Sequence, residues 1–124
     1  MKIAFVTSMF GLDNRKNGEF EPIKNCDHFL FTDRNSFTYP ASWKIHDISS
    51  DPNVSKLKNN VLKSRYAKFL SWRIFQSLQL DYDLVFYCDS VIHPRNNVDW
   101  FNVAKKIQES TTDFLYQSVH PDVS

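Results

Sequence analysis

Glycine is almost missing from this chain: Gly11 and Gly18 are the only two in 124 residues. With so few, neither a Walker-type phosphate loop nor a GxGxxG dinucleotide turn can be assembled. Cysteine is equally scarce. Cys26 and Cys88 lie far apart with no CxxC spacing, which suggests neither a zinc knuckle nor a disulfide framework. No charge of one sign dominates, because 15 Lys plus Arg face 14 Asp plus Glu for a net +1. A dedicated nucleic-acid binder would need a basic excess for its phosphate contacts, so that class is set aside. No run approaches the roughly 18 apolar residues that a membrane span requires. The N-terminal apolar stretch is short and lacks a small-residue cleavage site, so it reads as a buried strand rather than a signal peptide. The tripeptide Asn53-Val54-Ser55 matches a glycosylation acceptor, but without an export signal it reads as chance. The expected compartment is the reducing cytoplasm.

What is plentiful is apolar and aromatic side chain, at 42% and 15% of the residues. That is enough to build a core, and the length fits one domain, residues 1–124. Short apolar runs at residues 3–6 and 28–31 read as strands, and "WKIHDIS" alternates apolar with polar as a half-buried edge strand would. Residues 11–21 read as a mobile loop. From 55 to 79 the period becomes helical, with Ser55 as N-cap and Leu62, Tyr66, Phe69, Leu70 and Ile74 as the expected buried stripe. Residues 84–88 are apolar on consecutive positions, the signature of a strand covered on both faces in the middle of a parallel sheet. A second helix is expected over 99–109, opened by Asp99, and "DFLYQSVH" reads as a last strand. The order predicts an α/β domain, a mostly parallel sheet flanked by helices.

Ligands of such sheets bind outside the carboxyl ends of the strands. The apolar runs end in Thr7 and Ser8, in Thr32 and Asp33, in Asp89 and Ser90, and in Gln117, Ser118 and His120. Asp89 is the most informative of these. Directly after an apolar strand, its carboxylate needs a donor, a cation or a sugar hydroxyl to offset desolvation. Arg65 and Lys68, three residues apart on one helix flank, are positioned to neutralise a diphosphate and to converge with Asp89 on one pocket. Lys56, Lys58 and Lys63 read as solvated. His28 and His46 read as structural, hydrogen-bonded residues, and the three Trp as core. His93 and His120 follow strand ends, and either is able to join Asp89 around a divalent cation. No HxxxH or HExxH spacing is present, so a preformed zinc site is not expected.

In order, "KIAFVTSMFG", "HFLFTDR", "SRYAKFLSW", "YDLVFYCDSVI" and "YQSVHP" resemble the nucleotide-sugar-dependent glycosyltransferases of the GT-A, Rossmann-like fold. The chain is most similar to a glycosyltransferase-like family of plants, bacteria and large algal viruses, which shares an SRxxK helix, a YDxxxxxDxxI strand and a later HP element. The resemblance implies that Thr7 lies near the nucleoside and Asp33 near the base or ribose. It implies that Arg65 and Lys68 face the diphosphate or donor sugar. Asp89 takes the place of the D-x-D motif, which holds the ribose and a Mn²⁺ or Mg²⁺ ion, and His120 sits where a later strand turns back to the donor. The second acid of D-x-D is missing, since the sequence reads Asp89-Ser90-Val91, and one carboxylate makes a weaker site for a hard cation. The family's domains continue into an acceptor-binding half that carries the catalytic base of inverting members. No residue here matches that base, so the chain reads as a truncated domain, a naturally short donor-binding unit or an inactive remnant. The expected partners are a nucleotide sugar and a glycan or other hydroxyl acceptor, with no nucleic acid and no membrane span. Two functions follow, sugar transfer from a nucleotide-diphosphate sugar to a hydroxyl acceptor, or a non-catalytic nucleotide-sugar-binding or interaction domain, a GT-A-like remnant. A haloacid-dehalogenase-like phosphatase is excluded, because Thr7-Ser8 stand where its nucleophilic Asp would be required.

Overall fold

The computed structural model describes residues 1–11, 20–34, 42–89 and 93–110. Four parallel strands make its sheet: β1 (Ile3–Met9), β2 (Asp27–Thr32), β3 (Lys44–Asp47) and β4 (Leu84–Tyr87). Their order is β3-β2-β1-β4. The chain therefore steps outward from β1 through β2 to β3, then crosses back to lay β4 on the other side of β1. Helices α1 (Pro52–Ser55), α2 (Asn60–Phe69) and α3 (Ser71–Ser77) form that crossover, and α4 (Trp100–Gln108) follows β4. The expected α/β architecture is what the chain adopts. The expected strand "DFLYQSVH" falls outside the described residues, as do His120 and most of the expected mobile loop.

Both faces of the sheet are covered, which is why its strands are apolar on successive residues. On one face Ala4, Val6, Phe29 and Phe31 meet Val54 of α1, Ala67 of α2, and Ile74 and Phe75 of α3. On the other, Ile3, Phe5, Met9 and Leu30 meet Ile23, Trp43 and Ala104 of α4. Phe5 centres the second cluster. Its ring stacks on Phe86 at 5.3 Å and takes the edge of Trp100 at 5.1 Å.

The most buried strand is β1, not β4. All seven residues of β1 are buried, whereas all four of β4 are half-buried. β4 is covered on both sides as expected, with Val85 and Tyr87 against one cluster and Leu84, Phe86 and Cys88 against the other. Among the described residues it lies at the end of the sheet rather than the middle. Consecutive apolar residues report two covered faces and say nothing about how many strands flank them. The edge placement of β3 agrees with its alternating sequence.

The long helical stretch is divided. Asp51 caps α1 by accepting from the Asn53 amide, with Pro52 in the first turn, and Asn59 caps α2 by accepting from the Leu62 amide. Ser55 is thus the end of α1 rather than the start of one helix. Asp99 caps α4 as expected, accepting from the Asn102 amide at 3.1 Å. The buried side of α2 also differs from the expected stripe. Ala67 is fully buried, while Leu62 and Phe69 are 39% and 44% exposed. On a helical wheel the inward side is rotated by roughly a quarter turn from the apolar stripe. Ala67, the smallest residue of the segment, lets the helix backbone approach β1 closely. A side centred on Leu62 and Phe69 would hold it further off.

Candidate functional site

Parallel strands bring all their carboxyl ends to one edge, and the strand order reverses between β1 and β4. A reversal of this kind leaves a crevice above the sheet where the two connections diverge, which is where ligands of open α/β sheets settle. Val6 pairs with Tyr87 in the register of β1 with β4, and the Cys88 amide donates to the Val6 carbonyl at 2.7 Å. The paired register ends there, and Asp89 lies two residues beyond β4 at the same edge of the sheet. The Ser8 hydroxyl and the Tyr87 phenol share a 2.6 Å hydrogen bond across the same gap.

Asp89 is exposed. The sequence anticipates a desolvated acid at this point. The structure instead has a carboxylate open to solvent, whose charge is felt by its half-buried neighbour Cys88. Burial first, and the Asp89 charge second, push the Cys88 thiol up to about 12. This shift favours the neutral thiol over the reactive thiolate.

Next to this crevice, above β1 and β2, a second group of polar atoms is tied together. One oxygen of Asp33 accepts from the Gly11 amide at 3.0 Å, and the other accepts from the Lys63 ammonium at 3.0 Å. Burial alone would push the Asp33 carboxyl up, but the Gly11 amide and Lys63 outweigh it and hold it below its ordinary value. Gly11 adopts a left-handed φ of +73°, and a Cβ there would come within 2.1 Å of the Asn60 side-chain nitrogen. The start of α2 is thus pressed against the end of β1, with glycine supplying the turn.

Lys63 is the residue that sequence reasoning missed. It reads as solvated because it falls outside the apolar stripe, yet its side chain is only 19% exposed and is directed to Asp33. The available signal is its four-residue spacing before Ala67, which places both on one side of the helix.

The remaining anticipated residues are distributed as follows. Thr7 is fully enclosed and its hydroxyl has no hydrogen-bond partner among the described residues, so it offers no surface to a ligand outside the edge. Arg65 is exposed. Its two-residue offset from the buried Ala67 turns it away from the sheet, and it makes no contact with Asp89. Lys68 is half-buried, with its ammonium 5.5 Å from the Phe69 ring. The structure therefore brings together Ser8 and Tyr87, and Asp33, Gly11 and Lys63, while Asp89 lies two residues beyond the end of β4 and Arg65 on the exposed side of α2.

The histidines divide along the expected line. His28 is buried, its Nε2 accepting from the Ile23 amide at 3.2 Å, as a structural histidine does. The half-buried His46 has no partner for its Nε2 among the described residues. His93 stacks flat on Phe20 at 5.1 Å.

The Mn²⁺ or Mg²⁺ implied by the resemblance finds little to hold it. Among the described residues no three His, Cys, Asp or Glu side chains converge, and Asp89 is followed by Ser90 and Val91, neither of them an acid. One carboxylate leaves most of the six or more positions of a hard cation to water or to ligand phosphates. A separate concavity of about 270 Å³ lies between residues 21–24 and the start of α4, with Ile23, Asn96 and Trp100 on its walls. It contains none of the anticipated site residues. No protein-family model, curated protein or solved structure matches this chain.

Proposed function

We propose that the domain binds a nucleotide-diphosphate sugar in the crevice between β1 and β4 and serves a glycosyltransferase as its donor-binding unit. The observation that carries this reading is the position of Asp89, an exposed carboxylate just beyond the end of β4 where the strand order reverses. A carboxylate there can accept two hydrogen bonds from the vicinal hydroxyls of a ribose. Lys63, which uses one of its three N–H donors on Asp33 at the end of β2, retains donors for a phosphate oxygen. The order of short motifs shared with GT-A enzymes supports the same ligand class.

In the transfer itself, the acceptor oxygen forms a bond to the anomeric carbon as the bond to the diphosphate breaks. The leaving diphosphate gains charge, and a positioned ammonium stabilises it more than it stabilises the bound donor. The proton of the acceptor hydroxyl goes to a base that none of the assigned residues provides.

Thermal unfolding with UDP, GDP and their sugar conjugates, each with and without Mn²⁺, tests the reading. A ligand at a hundredfold excess over its Kd stabilises the native state by about 2.7 kcal/mol. A rise in Tm with at least one ligand, lost in Asp89→Asn, is expected. An unmoved Tm across the panel overturns donor binding. Release of free sugar from the bound donor separates a transferase from a non-catalytic binder.

A further inference from the structure

Seven large apolar side chains are exposed among the described residues, and four of them, Val61, Leu62, Phe69 and Trp72, fall on α2 and the first turn of α3. They are there because α2 packs through Ala67 and Lys63 rather than through its apolar stripe. Trp72, expected with the other two Trp in the core, is instead 51% exposed because it sits on the outer side of α3, and Val61 is 59% exposed. The same stretch is electrostatically one-sided. Residues 55–79 contain Lys56, Lys58, Lys63, Arg65, Lys68 and Arg73, which are six of the chain's 15 cations, and none of its 14 acids. Lys63 is engaged by Asp33, but Arg65 lies within the exposed apolar side of α2. Two of the cations sit over the outward aromatic rings, Lys68 over Phe69 at 5.5 Å and Arg73 over Trp72 at 5.2 Å.

We propose that the outer face of α2 and α3 docks the domain on an anionic lipid bilayer, lying in the plane of the headgroups. Leu62 and Phe69 on the exposed side of α2 and Trp72 in the first turn of α3, flanked by Lys and Arg with no acid among them, match such a surface in both polarity and charge. The aliphatic Val61 and Leu62 distinguish it from a nucleic-acid surface. Phosphates and stacked bases gain nothing from them, whereas the acyl boundary does. A second copy of this chain is disfavoured as occupant, because an isologous contact sets the cationic face against itself. The proposal does not depend on the donor site, which lies at the sheet edge rather than on the outer side of these helices.

The test is co-sedimentation of the full chain with phosphatidylcholine vesicles, with and without phosphatidylglycerol, at low and high salt. Binding only to the anionic vesicles, weakened by salt, is expected. Each cation removed should lower partitioning about fivefold, so Arg65→Gln with Arg73→Gln should lower it more than tenfold. Removing the rings, by Phe69→Ala with Trp72→Ala, should lower it by at least as much. Tryptophan emission should shift to the blue on binding, and the shift should vanish in Trp72→Phe although Trp43 and Trp100 remain. Arg65, Phe69, Trp72 and Arg73 are all exposed and none is needed for the core, so circular dichroism should show each variant folded. Failure to bind anionic vesicles overturns the proposal. So does binding that is indifferent to Phe69 and Trp72, or tighter binding to a single-stranded oligonucleotide than to vesicles. A dimer in solution that is abolished by Trp72→Ala would assign the face to a second copy and equally overturn it.

Discussion

The ammonium of Lys63 lies 3.0 Å from the carboxylate of Asp33, joining α2 to the end of β2 across 30 residues of sequence. This pair, with the Gly11 amide on the other Asp33 oxygen, sets how the crossover helix is seated. Asp33→Ala should therefore destabilise the domain by about 1–3 kcal/mol, since it leaves a partly buried amide and ammonium without their acceptor. Because the folded Asp33 carboxyl is held below its ordinary value, its contribution is complete above about pH 4 and is lost as pH falls through the folded value. Urea unfolding at pH 7 and pH 3 checks this. The gap between wild type and Asp33→Ala should shrink at the lower pH, and an unchanged gap would show that the pair contributes nothing.

Asp89 should behave differently. It is exposed, so Asp89→Asn should leave the ligand-free stability within about 0.5 kcal/mol. The same substitution should remove the rise in Tm that a nucleotide sugar produces. Retention of the full ligand-induced rise would detach Asp89 from the site.

Cys88 offers a chemical probe of the same crevice. With its thiol pushed up to about 12, chiefly by burial, it should react with iodoacetamide at pH 8 far more slowly than a free thiol. Asp89→Asn should change that rate little, because burial is the larger cause. Peptide mapping after timed labelling gives the rate, and alkylation of Cys88 at the rate of a free thiol would contradict its enclosure.

The histidines predict a second pH dependence. The His28 Nε2 accepts a backbone hydrogen bond, and burial, only partly opposed by Asp27, holds its pKa below 6.5. His46 is lowered too, by burial and then by Lys44. Between the ordinary and the lowered values the unfolded chain binds more protons than the folded one. Stability is thus complete above about pH 6.5 and falls as pH drops through the folded values. His28→Gln should flatten part of that slope between pH 7 and pH 5. A slope unaltered by the substitution would remove His28 as its source.

The core makes a simpler prediction. Phe5 is fully buried and its ring meets Phe86, Trp100 and His28. Phe5→Ala should cost about 3–5 kcal/mol, measured by chemical denaturation. A loss below about 1 kcal/mol would mean that the α4 side of the sheet is not the packed core described.

The elements themselves were legible in the sequence because they depend on local period and capping. Apolar runs at residues 3–6, 28–31 and 84–88 became strands. The alternation around Ile45 became the edge strand, and Asp99 became the cap of α4. The collection of Ser8, Asp33 and Asp89 at one edge was legible too, since parallel strands must all end on the same side. Tertiary structure alone decided that β1 rather than β4 is the most buried strand, because an apolar run records its covered faces but not its neighbours. It alone decided which side of α2 turns inward. Periodicity favours Leu62 and Phe69, but the close approach permitted by Ala67 and the reach of Lys63 to Asp33 outweigh that stripe. Those two contacts join residues distant in sequence, and no local pattern contains them. The exposed aromatic and cationic face, and the removal of Arg65 from the sheet edge, follow from that single choice of helix orientation.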